Sequence, residues 1–291
     1  MCESHHHNLS QDYCDHYECG AYSHLSSCLP TNTIMKGLVA LLVVLQLLLM
    51  TPRQADARKC QCGKVSRHRS TREIQHHIVG PRAKETDVNE YPWQIGVVYK
   101  NDNKWNNGKK EPFCGGSIIS RRYVLTAAHC FLLRDKQTDR PLMNTKVESK
   151  KIQILVGEHN TRDEEADRRD VIHIRNHPFH KLTSKSRTRY DFSILKLASP
   201  LTFSSRMSPI CLPASTNSRY MGRWATVSGW GVKHWAGGSN SPKLMETTMK
   251  VVSNPRCNSR KFPELLCADG KGSATCSGDS GGPMSVSENG R

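Results

Sequence analysis

From residue 78 onwards, apolar positions fall in short runs set between polar stretches: Trp93 to Tyr99, Ser117 to Leu125, Ile152 to Val156, Phe192 to Leu197, Ala225 to Ser228 and Thr247 to Val252. Most have strand length and are rich in Val, Ile and aromatic residues. The intervening loops carry Asn, Gly, Lys and Asp. This spacing predicts an all-β domain, barrel or sandwich, with long surface loops at 100–112 and 132–150. The change comes at Ile78-Val79-Gly80-Pro81. Residues 58–77 before it are polar and basic without apolar periodicity, and read as an exposed tether.

One apolar run is of a different kind. Met35-Lys36 is followed by fourteen uncharged, mostly apolar residues, Gly37 to Met50, and then by Ala55-Asp56-Ala57. The run falls short of the ~20 residues that span a bilayer, but it fits the core of a secretory signal ending at a small-x-small cleavage site. Residues 35–57 are therefore read as a signal peptide, with no stable membrane span expected; a signal anchor is the alternative. Met35 is then the expected start. Residues 1–34 hold Cys2, Cys14, Cys19, Cys28 and His5-His6-His7 without a paired metal-ligand spacing. They are read as a segment outside the mature protein.

Twelve cysteines agree with an oxidising, extracellular destination, given a route to it. The charge of +16, from 42 Lys+Arg against 26 Asp+Glu, permits polyanion binding. The basic residues are nevertheless scattered in ones and twos with no interleaved aromatic platform, so no nucleic-acid partner is expected.

The candidate chemistry begins at Cys276-Ser277-Gly278-Asp279-Ser280-Gly281-Gly282-Pro283. Glycines around one serine permit a tight turn whose backbone N–H groups share a common space. A serine hydroxyl needs a base to take its proton and a carboxylate to orient that base. His129 closes the apolar run Tyr123 to Ala128, and Asp191 heads the run Phe192 to Leu197. Alone, the histidine reads as structural and the aspartate as a turn residue. Together with Ser280 they supply nucleophile, base and orienting carboxylate.

With these residues in place, residues 78–291 resemble a secreted serine endopeptidase of the chymotrypsin and trypsin family. The landmarks are Ile78-Val79-Gly80, Glu90 to Gln94, Cys114 to Ser117, Thr126 to Cys130, Asp191, Pro209 to Pro213, Ser228 to Gly231 and Gly278 to Pro283. The resemblance implies two six-stranded antiparallel β-barrels with the active site between them, and a triad of His129, Asp191 and Ser280. Gly278 and Ser280 would form the oxyanion hole. It makes residues 58–77 a propeptide, whose removal by an activating protease lets the Ile78 amino group pair with Asp279. Disulfides Cys114–Cys130, Cys257–Cys267 and Cys62–Cys211 are also implied, with Cys60 an alternative to Cys62. No metal or organic cofactor is required; protein or peptide substrates and macromolecular inhibitors are the expected partners.

Several positions depart from the family. His76 and His77 precede Ile78 where relatives carry Arg or Lys, and Pro81 stands where glycine is common. Ala274, followed by Thr275, occupies the base of the primary pocket, where an aspartate would select Arg and Lys. An uncharged pocket for apolar or aromatic side chains is predicted. Ala225 and Val286 stand where many relatives carry a bridging cysteine pair, and Cys276 is left without its expected partner. The chain ends eleven residues beyond Ser280, so the second barrel is expected to be truncated. Glu158, Asn160, Glu164 and Glu165 lie in a loop that binds calcium in some relatives, although Arg168 falls where an acid is wanted. The competing function is a non-catalytic protease homologue acting as a binding or adaptor protein.

Overall fold

The computed structural model describes residues 62–65, 83–100, 111–134, 141–163, 167–182, 188–213, 220–232, 238–253 and 265–288. The strands are β1 (Lys84–Glu85), β2 (Gln94–Tyr99), β3 (Cys114–Ile118), β4 (Tyr123–Thr126), β5 (Leu132–Arg134), β6 (Pro141–Lys146), β7 (Ile152–Val156) and β8 (Asp167–Asn176). They continue with β9 (Lys181–Leu182), β10 (Thr188–Arg189), β11 (Ser193–Leu197), β12 (Trp224–Gly229), β13 (Met245–Val252), β14 (Cys267–Asp269) and β15 (Met284–Ser285). Helical structure among the described residues is limited to the 3-10 turns Ala128–Phe131 and Ser149–Lys151. The fold is all-β.

Six strands close into an antiparallel barrel in the order β11-β4-β3-β2-β7-β8. Alternation explains the closure: β11 buries Ser193, Leu195 and Leu197 and turns Ile194 and Lys196 outward. Ile95, Val97, Ile118, Ile152, Ile154, Leu195 and Leu197 fill the interior with no measurable exposure. The expected second barrel is represented by a five-stranded antiparallel sheet, β1-β13-β12-β15 with β14 paired to β13; among the described residues it does not close.

Three local features add to or correct the sequence reading. The run Ser117 to Leu125 is a hairpin of β3 and β4, because Ser120 Oγ accepts the backbone N–H of Arg122 and of Tyr123 and turns the chain. The loop expected at 132–150 contains the paired strands β5 and β6. Strand β8 was not anticipated, since Arg168, Arg169, Asp170, His173 and Arg175 mask its alternation; Val171 alone is fully buried along it. Residues 101–110 of the other long loop lie outside the described residues.

Buried polar contacts join barrel and sheet. Ser228 Oγ on β12 donates to Gln94 Oε1 on β2 at 2.8 Å. Trp230 Nε1 donates to the carbonyl of His159 at 3.0 Å. Glu246 on β13 accepts the hydroxyl of Tyr91, and within the sheet it pairs with the exposed Lys84 Nζ of β1 at 2.7 Å.

Candidate active site

Strand β4 delivers His129. Its last residue, Thr126, pairs with Ser193 of β11, and the chain then enters the 3-10 turn that carries His129. The Cys114–Cys130 disulfide ties this turn to β3. Asp191 stands two residues before β11, so the β4–β11 ladder sets the two side chains together. His129 Nδ1 lies 2.6 Å from Asp191 Oδ2, and the His129 backbone N–H donates to Oδ1 at 2.8 Å. The Thr188 hydroxyl donates to Oδ2 at 2.8 Å. Burial alone would raise the Asp191 carboxyl; the hydrogen bond and charge of His129, its backbone N–H and Thr188 outweigh that and hold it below the usual aspartate value.

Ser280 sits in a turn before β15 whose geometry depends on glycine. Gly278 has φ +97° and Gly281 φ +79°. A side chain at Gly281 would press within 2.8 Å of the Ala127 nitrogen and the Gly115 carbonyl. This tight fit seats the turn on the β3–β4 hairpin beside His129, where the Gly115 N–H donates to the Ser280 carbonyl at 2.8 Å. Among the described residues, Ser280 Oγ and His129 share no hydrogen bond, and the N–H groups of Gly278 and Ser280 donate to no described acceptor. Donors left free at such a turn can receive a developing oxyanion.

Asp279 turns the opposite way, into the protein, and is 8% exposed. Its carboxylate accepts the N–H of Gly231 at 2.7 Å and of Cys276 at 2.8 Å. Burial pushes this carboxyl up, with the two backbone hydrogen bonds opposing. Ile78 lies outside the described residues. Ala274 is half-buried and Thr275 exposed.

Cys62 is bonded to Cys211, and Gly63 N–H donates to the Pro209 carbonyl, holding this part of the tether against the barrel. Cys267 is disulfide-bonded; Cys257 lies outside the described residues. Cys276 is a free thiol. Cys114, Cys130 and His129 cluster closely enough to suggest metal ligands, but the two sulfurs are bonded to each other and His129 Nδ1 is engaged by Asp191.

Of the calcium-loop donor set, Glu158 and Asn160 are among the described residues. Glu158 Oε1 already accepts the N–H of His159 and of Asn160, and the Arg206 guanidinium donates to the Gly157 carbonyl. Glu164 and Glu165 lie outside the described residues, as does the segment read as a signal. No helix among the described residues is long and apolar enough to cross a membrane.

Two residues of the site escaped sequence reasoning. Thr188 lies three positions before Asp191 in a polar stretch that gave no signal. His180 follows His177-Pro178-Phe179, and only the topology brings it to Asp191.

A closed antiparallel barrel presenting a His–Asp pair beside a glycine-held serine turn defines the architecture of chymotrypsin-like serine peptidases. The family model described as Trypsin matches residues 80–290, and the chain belongs to the trypsin family. Its fold is similar to that of neuropsin, a serine protease expressed in the limbic system of mouse brain, with a TM-score of 0.54 and 23% identity over 70% of this chain and 81% of that one.

Proposed function

We propose that the protein is an extracellular serine endopeptidase, made as a zymogen, that hydrolyses peptide bonds through His129, Asp191 and Ser280. The observation that carries this reading is the fit of Asp191 to His129. Both carboxylate oxygens accept from the same residue, one from its backbone and one from its ring. A ring that donates from Nδ1 keeps the lone pair of Nε2 free as the base.

In the mechanism carried over from the family, Ser280 Oγ attacks the substrate carbonyl while His129 Nε2 accepts its proton and later returns it to the leaving amine. Asp191 holds the tautomer and stabilises the imidazolium. The N–H groups of Gly278 and Ser280 receive the oxyanion; losing one such donor costs about 100- to 1,000-fold in rate. Residues 35–57 act as the signal peptide and 58–77 as the propeptide, tethered through Cys62–Cys211. Cleavage before Ile78 by an activating protease frees an amino group for Asp279. A buried carboxylate held, among the described residues, by backbone N–H groups supports this step, because a cation there would offset the cost of ionising it. Ala274 at the pocket base favours apolar or aromatic residues over Arg and Lys.

The test is labelling by a fluorophosphonate probe after release of Ile78. Ser280 should be modified, and Ser280→Ala should not. Persistent absence of labelling in the correctly cleaved protein would replace the enzyme with a non-catalytic homologue. A peptide panel cleaved best after Arg would overturn the pocket assignment.

A further inference from the structure

Asp191 has a second imidazole beside it. His180 Nε2 lies 3.5 Å from Asp191 Oδ1, and its side chain is 8% exposed. That nitrogen is buried and completes no hydrogen bond among the described residues. A buried polar atom without a partner calls for an explanation, and the carboxylate oxygen it faces already accepts one bond, from the His129 N–H. An ionised carboxylate offers about four acceptor positions. Two N–H donors of His129 and the Thr188 hydroxyl fill three of them.

The chain holds His180 firmly in this position. Its backbone N–H donates to the His177 carbonyl at 2.9 Å, closing the turn His177-Pro178-Phe179-His180. The His177 ring stacks on Tyr190 with centroids 5.0 Å apart and tilts against Phe192 at 4.5 Å. His177 N–H donates to the Phe192 carbonyl at 3.0 Å. The turn is thus fastened to both neighbours of Asp191.

We propose that His180 is a positioning residue of the site: its neutral imidazole donates Nε2–H to Asp191 Oδ1 as a fourth hydrogen bond, tempering the hold of the carboxylate on a proton at His129. This assignment rests on the reading of His129, Asp191 and Ser280 as a triad. The groups that bear on His180 are Asp191, His129 from the 3-10 turn and His177 from its own turn. Lys181 beside it is exposed, and the Arg189 guanidinium lies over the Tyr190 ring. Burial lowers the His180 imidazolium most; Asp191 opposes this, and His129 and His177 add to it. His180 is therefore neutral where His129 works as a base. As the pH falls, a proton on His180 would place a cation against the carboxylate that also holds His129.

The experiment uses the full chain carrying Ser280→Ala, with the His180 ring Cε1–H signal followed by NMR against pH and the Nδ1–H signal of His129 observed at fixed pH. The His180 signal should titrate below the usual histidine range, and Asp191→Asn should lower its midpoint further. His180→Phe removes the donor and should shift the His129 Nδ1–H signal, and His180→Gln, which keeps an N–H donor, should restore it. An Nδ1–H signal that the phenylalanine leaves in place overturns the proposal, as does a His180 midpoint that Asp191→Asn leaves unchanged. Should the phenylalanine variant fail to fold, the His180 midpoint and the glutamine variant decide. Fluorophosphonate labelling of the chain with Ser280 intact tests the triad separately: failure there with these signals as expected removes the enzyme reading alone.

Discussion

The barrel and the five-stranded sheet solve the problem of sheet edges differently. In the barrel every strand pairs on both sides, and the interior is packed with branched aliphatic residues. The sheet is bounded by short strands, β1 and β14 on one side and β15 on the other, and leaves Trp224 and Met284 partly in solvent. The candidate site divides along the same line. Base and carboxylate belong wholly to the barrel, whereas Ser280 rides on a turn pinned to the barrel at Gly115 and to the sheet side at Gly231. The His–Asp pair is therefore built into rigid structure, and the nucleophile depends on how the two regions meet.

The largest expected effect lies on the barrel side. Asp191→Asn keeps the shape of the side chain but changes what it can accept from His129, and should lower kcat by about 10,000-fold, a magnitude carried over from the family's triad. Steady-state hydrolysis by the activated protein checks it. A loss of tenfold or less would detach Asp191 from the chemistry and leave it a structural cap on the His129 turn.

Core substitutions sharpen the contrast in packing. Leu195→Ala in the barrel should cost about 4–5 kcal/mol, and Met245→Ala in the sheet about 2 kcal/mol, the two ends of the range for such cavities. Leu195 is wholly enclosed by a large cluster, whereas Met245 shares its small cluster with Ala83. Denaturant unfolding measures both, and equal losses would break the comparison. At the junction, Ser228→Ala leaves Gln94 Oε1 buried with its donor removed. That should cost about 1–3 kcal/mol, and labelling at Ser280 should fall with it if the joint positions the turn.

Much of the barrel was legible in the sequence because its strands alternate cleanly or carry continuous apolar runs, as in Ile154 to Val156. Strand β8 was not, since its outward face is charged and its inward face carries little beyond Val171 and Ile174. At the site, His129, Asp191 and Ser280 were nominated by residue type and neighbours alone. The hydrogen bonds that orient Asp191 were hidden, because Thr188 and His180 belong to polar segments whose importance arises only when β10 and β11 fold back on the His129 turn. The Asp279 environment was hidden in the same way: its partners Gly231 and Cys276 are backbone groups, which composition cannot reveal.

The two aspartates give the finest test, because the regions shift them in opposite directions from their ordinary value of 3.8. Asp191 is lowered, so its contribution to stability is present above pH 3.8 and is lost as the pH falls through its folded value. Asp279 is raised, so its contribution is present below pH 3.8 and is lost as the pH rises through its folded value. Each Asn variant, compared with the parent across the acid range, isolates one of these. Relative to the parent, Asp191→Asn should become less stable with rising pH, and Asp279→Asn should become more stable, each slope bounded by about 1.4 kcal/mol per pH unit for a single proton. Denaturant midpoints at successive pH values supply the slopes. Slopes of the same sign would mean that Asp279 is stabilised as a carboxylate after all, and that the sheet side of the junction already supplies the counter-charge assigned here to Ile78.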